Sequence, residues 1–374
     1  FFAEDTGIFE KNLFTSSITR YTKDDGSNIA EYLNDAFNIM DIKMRNADTM
    51  KIISQFPYVN GGLFAKHIQI PKMGYKARKI ILECGELDWE NINPDIFGSM
   101  IQAVVDPEIR ANQGMHYTSV PNIMKVINPL FMYELRGEYD NMFNEYRQNK
   151  QLIEMGALTE RDFSSKCQSI VKKSNELLKR MSKMKFFDPA CGSGNFLIIA
   201  YKELRFLEIK ILLQLQELQK AATGFEPYQL ELIPKAQLTL AAQYQPTLFS
   251  RIELAQFFGI ELDDFAHEIA ILSLWLAQHQ MNQKFKEVLG ESTPTLPLQA
   301  GGNIVHGNAT RLDWEKVCPK KENDEIYILG NPPYLGGKGQ SKEQKADMDL
   351  VFKGFKNYKE LDYISCWFYL GSNF

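Results

Sequence analysis

Cysteine is scarce in this sequence, and its few copies stand far apart. The five cysteines include no Cys-x-x-Cys pair, so we predict neither a zinc site nor a disulfide framework, and no other metal site is predicted. Scattered thiols are typical of a reducing compartment, and we expect a cytoplasmic protein. Long hydrophobic runs are also absent. None approaches the length that spans a membrane, so no membrane partner is predicted.

An excess of positive charge is missing as well. The formal net charge is −5 and the pI is about 5.7, so any nucleic-acid interface must be local. What is present is ordinary for a globular protein: 374 residues, of which 44% are hydrophobic and 24% charged. That is enough chain for two or three domains. Because the first residue is phenylalanine and the last lies in the apolar run YISCWFYLGSNF, we expect a piece of a longer chain.

The first part of the chain, residues 1–110, mixes helical periodicity with turns. In NIAEYLNDAFNIMDIKM, apolar residues recur at steps of four, four and three, which predicts a helix that buries Ile29, Leu33, Phe37 and Met40. The segment FPYVNGGLF is a turn punctuated by proline and glycine. No nuclease cluster is recognisable here, and the interpretation is a helical spacer or N-terminal domain.

From residue 185 the pattern changes to short apolar strands that alternate with helices. The strands are placed at the start of KFFDPACGSGNF, in AQFFGIELDD, in GGNIVHGNATRLDW and in EIYILG, and this alternation predicts an α/β domain with a mainly parallel sheet covered on both faces. We assign residues 111–374 to this domain. One helix is expected to bury Leu204, Leu207, Ile211, Leu215 and Leu218, and the next to bury Phe265, Ile269, Leu272 and Leu276 after a cap at Asp263 or Asp264.

A polar cluster follows each predicted strand: Asp188, Glu261, Asn308 and Asn331. The carboxyl ends of parallel strands meet at one edge, where ligands of such sheets bind. The first cluster, DPACGSGN, contains Gly192 and Gly194, which allow a tight turn and a close ligand. The alternative to a ligand-binding turn is a plain turn between a strand and a helix. Neither a dinucleotide pattern nor Gly-Lys-Ser/Thr follows, so Asp188 favours an amino or cationic ligand over a phosphate.

The other clusters complete the description of one ligand. Glu261 can accept hydrogen bonds from ribose hydroxyls. Asn308 offers a donor and an acceptor for an adenine edge, although it is equally explained as a turn residue. A ribose, a base and a cationic group without a phosphate together describe S-adenosylmethionine.

The segments FFDPACGSGNF and GNPPY resemble the amino-methyltransferase family that methylates adenine N6 in DNA. RANQGMHYTSVPNI, at residues 110–123, is similar to a further cofactor motif of that family. Its position ahead of the glycine turn is that of the gamma class. The resemblance covers residues 110–374 and implies a Rossmann-like methyltransferase fold. FFAEDTGIF, FPYVNGGLF and DPEIRANQGMHYTS also resemble the methyltransferase and helical spacer regions of large single-chain restriction–modification enzymes of the type IIG or IIL kind.

The resemblance also implies roles for individual residues. It implies that Asn331, Pro332, Pro333 and Tyr334 hold a flipped adenine. It implies that the cofactor S-adenosylmethionine is bound by Tyr117, Thr118, Asp188, Pro189, Ala190, Gly192, Gly194, Asn195, Phe196, Glu261, Leu262, Asn308 and Ala309. Double-stranded DNA is the implied partner, with a target-recognition domain and a nuclease domain or subunit outside this chain. The family often has Asp at the position of Asn308, and residues 224–250 match no motif.

The segment LGGKGQSKEQKADMDLVFKGFKNYK follows Tyr334. It is interpreted either as a mobile surface loop or as a lid whose Lys338, Lys342 and Lys345 meet the DNA backbone when substrate is bound, and we expect it to be mobile without DNA. Two alternatives to DNA methylation stay open at this point. One is methylation of a planar amino group in protein glutamine or RNA, and the other is a non-catalytic scaffold that binds cofactor and DNA.

Overall fold

The computed structural model describes residues 1–42, 55–59, 69–94, 96–104, 118–223, 250–290 and 303–374. The described residues form two compact units that divide between Ile96 and Phe97. The predicted domain boundary at residue 110 lies outside the described residues and stays a prediction. None of the described helices is long and apolar enough to cross a membrane.

The first unit contains four helices among its described residues: α1 (Phe2–Asp5), α2 (Leu13–Tyr21), α3 (Ile29–Asp41) and α4 (Tyr75–Gly85). Ile29, Leu33 and Met40 of the predicted apolar stripe are buried and Phe37 is partly buried, because steps of three and four return to the same helix face. Arg78 of α4 reaches α2, where its Nε donates to Thr22 Oγ1 over 2.8 Å.

The remaining helices follow along the chain. They are α5 (Ile96–Val104), α6 (Val120–Ile127), a π-helical turn (Asn128–Met132), α7 (Tyr133–Glu154), α8 (Glu160–Met181), α9 (Asn195–Thr223), α10 (Asp264–Leu289), α11 (Trp314–Val317), α12 (Lys342–Val351) and α13 (Ser365–Asn373). Short 3₁₀ helices occupy Leu254–Gln256 and Tyr358–Glu360.

Four parallel strands form the sheet: β1 (Lys185–Asp188), β2 (Phe257–Glu261), β3 (Asn303–His306) and β4 (Ile326–Ile328). Their order is β3-β2-β1-β4. All four strands predicted from the sequence are present. The chain adds β2 and β3 on one side of β1 and then returns to add β4 on the other side. The carboxyl ends of β1 and β4 therefore flank the crevice where such sheets bind ligands.

Successive residues of each strand point to opposite faces, and both faces are buried. Phe186 and Phe257 stack with ring centroids 5.0 Å apart, in a core built largely by α8, α9 and α10. Phe187 and Phe258 lie in a second core with Trp314 of α11, against which α13 packs. A sheet covered on both faces by helices confirms the predicted α/β fold class.

Helix α9 buries the stripe that the sequence predicts, whereas α10 fully buries only Leu276 of its predicted stripe and partly buries Ile269 and Leu272. Phe265 is 55% exposed, and the buried line of α10 runs instead through Ala266, Ala270, Leu274 and Ala277. The prediction was therefore wrong at Phe265, whereas Leu276 lies in the core as expected. Small side chains lie on the inner face because α10 packs closely on the chain at the start of α9, and a large residue would hold the two apart.

Candidate active site

A cavity of about 740 Å³ lies where the four strands end. Thirteen of the sequence-predicted site residues line it: Thr118, Asp188, Pro189, Ala190, Gly192, Asn195, Phe196, Glu261, Leu262, Asn308, Ala309, Asn331 and Pro333. Gly194, Pro332, Tyr334 and the three predicted DNA-contacting lysines are not among its lining residues, and Tyr117 lies outside the described residues. The convergence of Asp188, Glu261, Asn308 and Asn331 on one cavity follows from the parallel register of the sheet.

Asp188 ends β1 and is only 1% exposed. Its Oδ1 accepts a hydrogen bond from the Ala190 backbone over 3.0 Å, whereas its Oδ2 is buried without a partner. Burial, reinforced by the nearby Glu261 carboxylate, raises the pKa of Asp188 to about 8. An unpaired buried carboxylate oxygen is costly, so this position favours a ligand that brings a donor or a positive charge.

The turn that contains Gly192 and Gly194 is hydrogen-bonded to the end of β2. Gly192 and Gly194 have φ of +55° and +82°, a region that residues with a Cβ avoid. The Gly192 N–H donates to Glu261 Oε2 over 2.7 Å, and the Asp263 N–H donates to Oε1 over 2.8 Å. Burial raises the pKa of Glu261. Each carboxylate oxygen retains a lone pair that can accept a further hydrogen bond, for example from a hydroxyl.

Both ends of the Asn308 side-chain amide form hydrogen bonds with other residues of the protein. Its Nδ2 donates to Asp347 Oδ2 over 3.0 Å, and its Oδ1 accepts from the N–H and the hydroxyl of Thr310 over 2.9 and 2.7 Å. These contacts fit the turn-residue alternative better than direct pairing of the Asn308 amide with a base. Its neighbour Ala309 is buried and lines the cavity.

The Asn-Pro-Pro-Tyr segment leaves β4 across Gly330. Gly330 has φ of +152°, and a Cβ built there would lie 2.3 Å from Asp188 Oδ1, so only glycine lets the segment pass this carboxylate. Asn331 donates from Nδ2 to Thr118 Oγ1 over 3.2 Å. Tyr334 is 55% exposed, which excludes a buried core ring.

The segment after Tyr334, for which the sequence suggested a mobile loop or a lid, contains a helix. Helix α12 begins with a capping box in which Ser341 and Gln344 exchange hydrogen bonds. Lys338, Lys342 and Lys345 are all exposed. Ser-x-x-Gln ahead of a buried Met348 was the available sequence signal for this helix.

Asp347 is one of the cavity residues that sequence reasoning missed. It is 2% exposed, and besides Asn308 it accepts from Arg311 Nε over 2.6 Å and from the Tyr363 hydroxyl over 2.8 Å. Asp347 thereby joins α12 to the turn after β3. Glu343 and Trp367 also line the cavity from this part of the chain. No group of side chains suited to a metal ion occurs among the described residues.

Comparison with known proteins gives two family matches. Residues 164–374 match the model described as MmeI, DNA-methyltransferase domain, and residues 1–64 match the model described as MmeI, helicase spacer domain.

Individual relatives agree with these matches. The chain is 46% identical over 376 aligned positions to DNA methyltransferase A of Bacillus subtilis strain 168, which covers all of this chain and 37% of that protein. It is 24% identical over 193 residues to a type II restriction enzyme and methyltransferase of Escherichia coli, covering 48% of this chain and 17% of that protein.

Among solved structures, the type IIL restriction–modification enzyme MmeI in complex with DNA matches the whole chain with a TM-score of 0.75 and 34% identity. The present chain spans 44% of that MmeI chain. It is thus less than half as long as these relatives.

Proposed function

Because this chain belongs to the MmeI DNA-methyltransferase family, we propose that it transfers the methyl group of S-adenosylmethionine to N6 of an adenine in DNA, within a restriction–modification or phage-defence system. One observation carries the proposal. The cavity that holds the unpaired carboxylate oxygen of Asp188 also holds Asn331 of the Asn-Pro-Pro-Tyr segment. An acceptor for a cationic ligand and an acceptor for a planar amino group thus face the same space.

The residues present fit S-adenosylmethionine. Asp188 Oδ2 has no partner among the described residues and suits the ammonium group of the methionine part. Glu261 can accept from the ribose hydroxyls, and Phe196, Leu262 and Ala309 offer apolar surface around the cavity. We assign the remaining cofactor contacts to Tyr117, Thr118, Pro189, Ala190, Gly192, Gly194, Asn195 and Asn308. When bound, this group supplies a methyl attached to a positively charged sulfur, which is the electrophile of the reaction.

The protein's task is to make the adenine amino group nucleophilic. Its nitrogen lone pair is delocalised into the ring, so two acceptors at its two hydrogens must pull it toward a tetrahedral geometry. We assign these acceptors to Asn331 Oδ1 and the Pro332 carbonyl oxygen. The rings of Pro332 and Pro333 fix the backbone there, so the dipoles need no reorganisation during the reaction. The nitrogen forms a bond to the methyl carbon while the methyl–sulfur bond breaks, which leaves a neutral thioether, and the nitrogen then releases a proton to solvent.

The target nitrogen is unreachable inside a duplex, so the adenine must be flipped out. The exposed ring of Tyr334 provides a stacking surface, and such a stack contributes about 1–3 kcal/mol per base. The exposed Lys338, Lys342 and Lys345 would neutralise backbone phosphates nearby. We further propose that residues 1–110 are a helical spacer, that residues 111–374 are the methyltransferase domain, and that recognition and nuclease domains lie elsewhere in a cytoplasmic protein.

In the test, the full-length enzyme is incubated with S-adenosylmethionine that is labelled in its methyl group. DNA, RNA and protein are supplied as substrates in parallel reactions. We expect label in N6-methyladenine of DNA. Asn331→Ala should lower the methylation rate at least a hundredfold and leave cofactor binding intact, since one preorganised donor or acceptor is worth about that much. Asn144→Ala is the matched control, because Asn144 is exposed on α7 and its loss should change nothing.

Label confined to RNA or protein would overturn the assignment of the substrate. Methylation at the normal rate by Asn331→Ala would instead overturn the assignment of the acceptor while leaving the substrate class intact.

A further inference from the structure

The residue that follows Tyr334 is held by the chain at the start of helix α13. The Leu335 N–H donates to Asp362 Oδ1 over 2.8 Å, and the Leu335 carbonyl oxygen accepts from the Tyr363 N–H over 2.9 Å. Since a backbone N–H can only donate hydrogen bonds, the direction of both contacts is fixed. Asp362 is therefore the acceptor for the first N–H after the Tyr334 ring.

Gln340 adds a further contact to the same residue. Its side chain is 7% exposed, and its Nε2 donates to the carbonyl oxygens of Leu335 and Leu361 over 3.0 and 3.1 Å. Because both partners are carbonyl oxygens, only the nitrogen end of the amide can face them. The Leu335 side chain packs against the small core around Met348. Leu335 is thus held at its N–H, at its carbonyl and through its side chain.

The Asn-Pro-Pro-Tyr segment is in this way held at both of its ends. Before the segment, the Leu329 N–H donates to the Phe187 carbonyl oxygen over 3.0 Å, which continues the pairing of β4 with β1. Within the segment, the two prolines have no N–H to donate. Their rings fix the local shape of the backbone, but they do not fix where its far end lies. The contacts of Leu335 fix that end, directly after Tyr334.

The position of Tyr334 matters because its ring is largely exposed. A ring that is 55% exposed receives less restraint from packing than a core ring does, so its place depends more on the backbone that carries it. The free energy needed to order the backbone of one residue is similar in size to the gain from one base stack. A loosely held Tyr334 would therefore lose much of the benefit of stacking.

We infer that Asp362 and Gln340 are positioning residues that hold the backbone after Tyr334, so that its ring is already in place to stack on the flipped adenine. This inference rests on the proposed function and adds two residues to it. Its physical basis is preorganisation, since a surface that is ordered before the ligand arrives binds it without a further loss of entropy. Both residues act through Leu335 and contribute no atom to the reaction.

The test measures the Kd of the full-length protein for two DNA duplexes, with S-adenosylhomocysteine present so that no methyl transfer occurs. Both duplexes carry the target sequence that the methylation test maps, but one has an abasic site in place of the target adenine. We expect Asp362→Ala to weaken binding of the adenine duplex about five- to tenfold, the effect of one hydrogen bond with a charged partner. Binding of the abasic duplex should change less than about twofold, because it has no base to stack.

A second variant tests the other contact to Leu335. Gln340→Met removes the Nε2 donor at nearly the same side-chain length, and we expect the same loss, confined to the adenine duplex. Gln340→Met also decides the question if Asp362→Ala does not fold. Asp362→Asn keeps an oxygen that can accept from the Leu335 N–H, so it should bind the adenine duplex within about twofold of the unmodified protein.

Asp313→Ala is the matched control. Asp313 and Asp362 each accept a hydrogen bond over 3.1 Å from the N–H two positions later, at the start of α11 and of α13 respectively. Asp362 additionally accepts from Leu335. Asp313→Ala therefore removes the same local contact away from Tyr334, and both Kd values should stay unchanged.

Three outcomes would overturn the inference. Equal weakening with the adenine and abasic duplexes would show that Asp362 supports the fold in general and not the stacking ring. Unchanged binding of both duplexes would show that the contact has no role, and a loss in Asp362→Asn as large as in Asp362→Ala would exclude the hydrogen bond as its cause. Failure of the unmodified protein to methylate adenine in DNA would overturn the proposed function itself, and that failure is visible before any variant is made.

Discussion

At the residue scale, Asp188 gains its chemistry from its position at the end of a buried strand. The same carboxyl in solution would be ionised throughout the neutral range. Here burial disfavours the charged form and the nearby Glu261 disfavours it further, so the pKa of Asp188 rises to about 8. Gly330 contributes by passing directly against this carboxyl, which keeps the Asn-Pro-Pro-Tyr segment close to it.

This pKa makes cofactor binding depend on pH. Below about pH 8 the Asp188 carboxyl of the ligand-free protein is protonated and neutral, whereas a cationic ligand needs the carboxylate, so binding must release a proton. We expect the affinity for S-adenosylmethionine to rise by up to about tenfold per pH unit from pH 6.5 toward 8 and then to level off. Isothermal titration calorimetry in buffers of different ionisation enthalpy measures both affinity and proton release.

Two variants locate the effect. Asp188→Asn should bind weakly and lose this pH dependence. Glu343→Gln should keep it, because Glu343 lines the same cavity but is exposed. The same pH slope in Asp188→Asn as in the unmodified protein would show that another group titrates.

Without ligand, the raised pKa of Asp188 implies that the free energy of unfolding falls as pH rises from about 4 toward 8, since the folded state holds the extra proton.

At the scale of elements, α12 shows why part of the segment after Tyr334 is folded. Its lysines are exposed, but Met348 and Asp347 are buried on its inner side. Met348 packs with Phe352, Tyr363 and Cys366 in a small core of its own. The sequence pattern of lysines described only the outer face of this helix, so it suggested a surface loop.

Asp347 should hold α12 on the cavity. Asp347→Ala removes the acceptor for Asn308, Arg311 and Tyr363 at once. We expect a loss of about 2–3 kcal/mol in the free energy of unfolding, because hydrogen bonds with a charged partner contribute about 1.5–3 kcal/mol, together with weaker cofactor binding. Chemical denaturation and cofactor titration measure the two effects.

Asp349→Ala is the matched control on the same helix. Asp349 is exposed and accepts one hydrogen bond from Tyr358, so its loss should cost well under 1 kcal/mol. Equal destabilisation by the two variants would show that α12 is held by its capping box and apolar side and not by Asp347.

At the scale of the whole molecule, a buried ion pair on α9 connects that helix to its neighbours. Arg205 and Glu208 of α9 are 1% and 0% exposed, and Arg205 Nε lies 3.1 Å from Glu208 Oε2. Arg205 also donates to Asn282 of α10 over 2.9 Å. Glu208 accepts from Ser250 and from the Arg251 backbone over 2.7 and 2.6 Å. The pair thus connects α9 to α10 and to the chain that enters β2.

Removing one partner of such a pair leaves the other charge buried. We expect Glu208→Ala to lower the free energy of unfolding by about 3–5 kcal/mol and the thermal midpoint accordingly, as measured by calorimetry. Glu203→Ala is the control, because Glu203 lies on the same helix as Glu208 but pairs with Arg136 of α7 with 26% of its side chain exposed. Exposed pairs of this kind contribute about 0–1 kcal/mol. Similar effects from both variants would mean that the Glu208 network adds little to stability.

The resemblance read from the motifs is confirmed for the family and the fold, and the sequence alone was enough for both. Strand positions depend on short apolar runs, and the glycine and Asn-Pro-Pro-Tyr motifs stand directly after such runs, so parallel pairing brings Asp188, Glu261, Asn308 and Asn331 to one cavity. The start of the α10 face was mispredicted because the large Phe265 was expected inside, whereas close packing selected Ala266 and Ala270.

Only the tertiary structure decided which side chains meet. Thr118 contacts Asn331 across 213 positions, Asn308 contacts Asp347 across 39, and Arg205 contacts Asn282 across 77. Periodicity and turn chemistry act over a few residues, and they carry no information about partners that the crossovers of a parallel sheet bring together. The local sequence thus determined the kind of groups at the strand ends, while the folded chain determined how each is oriented, buried and paired.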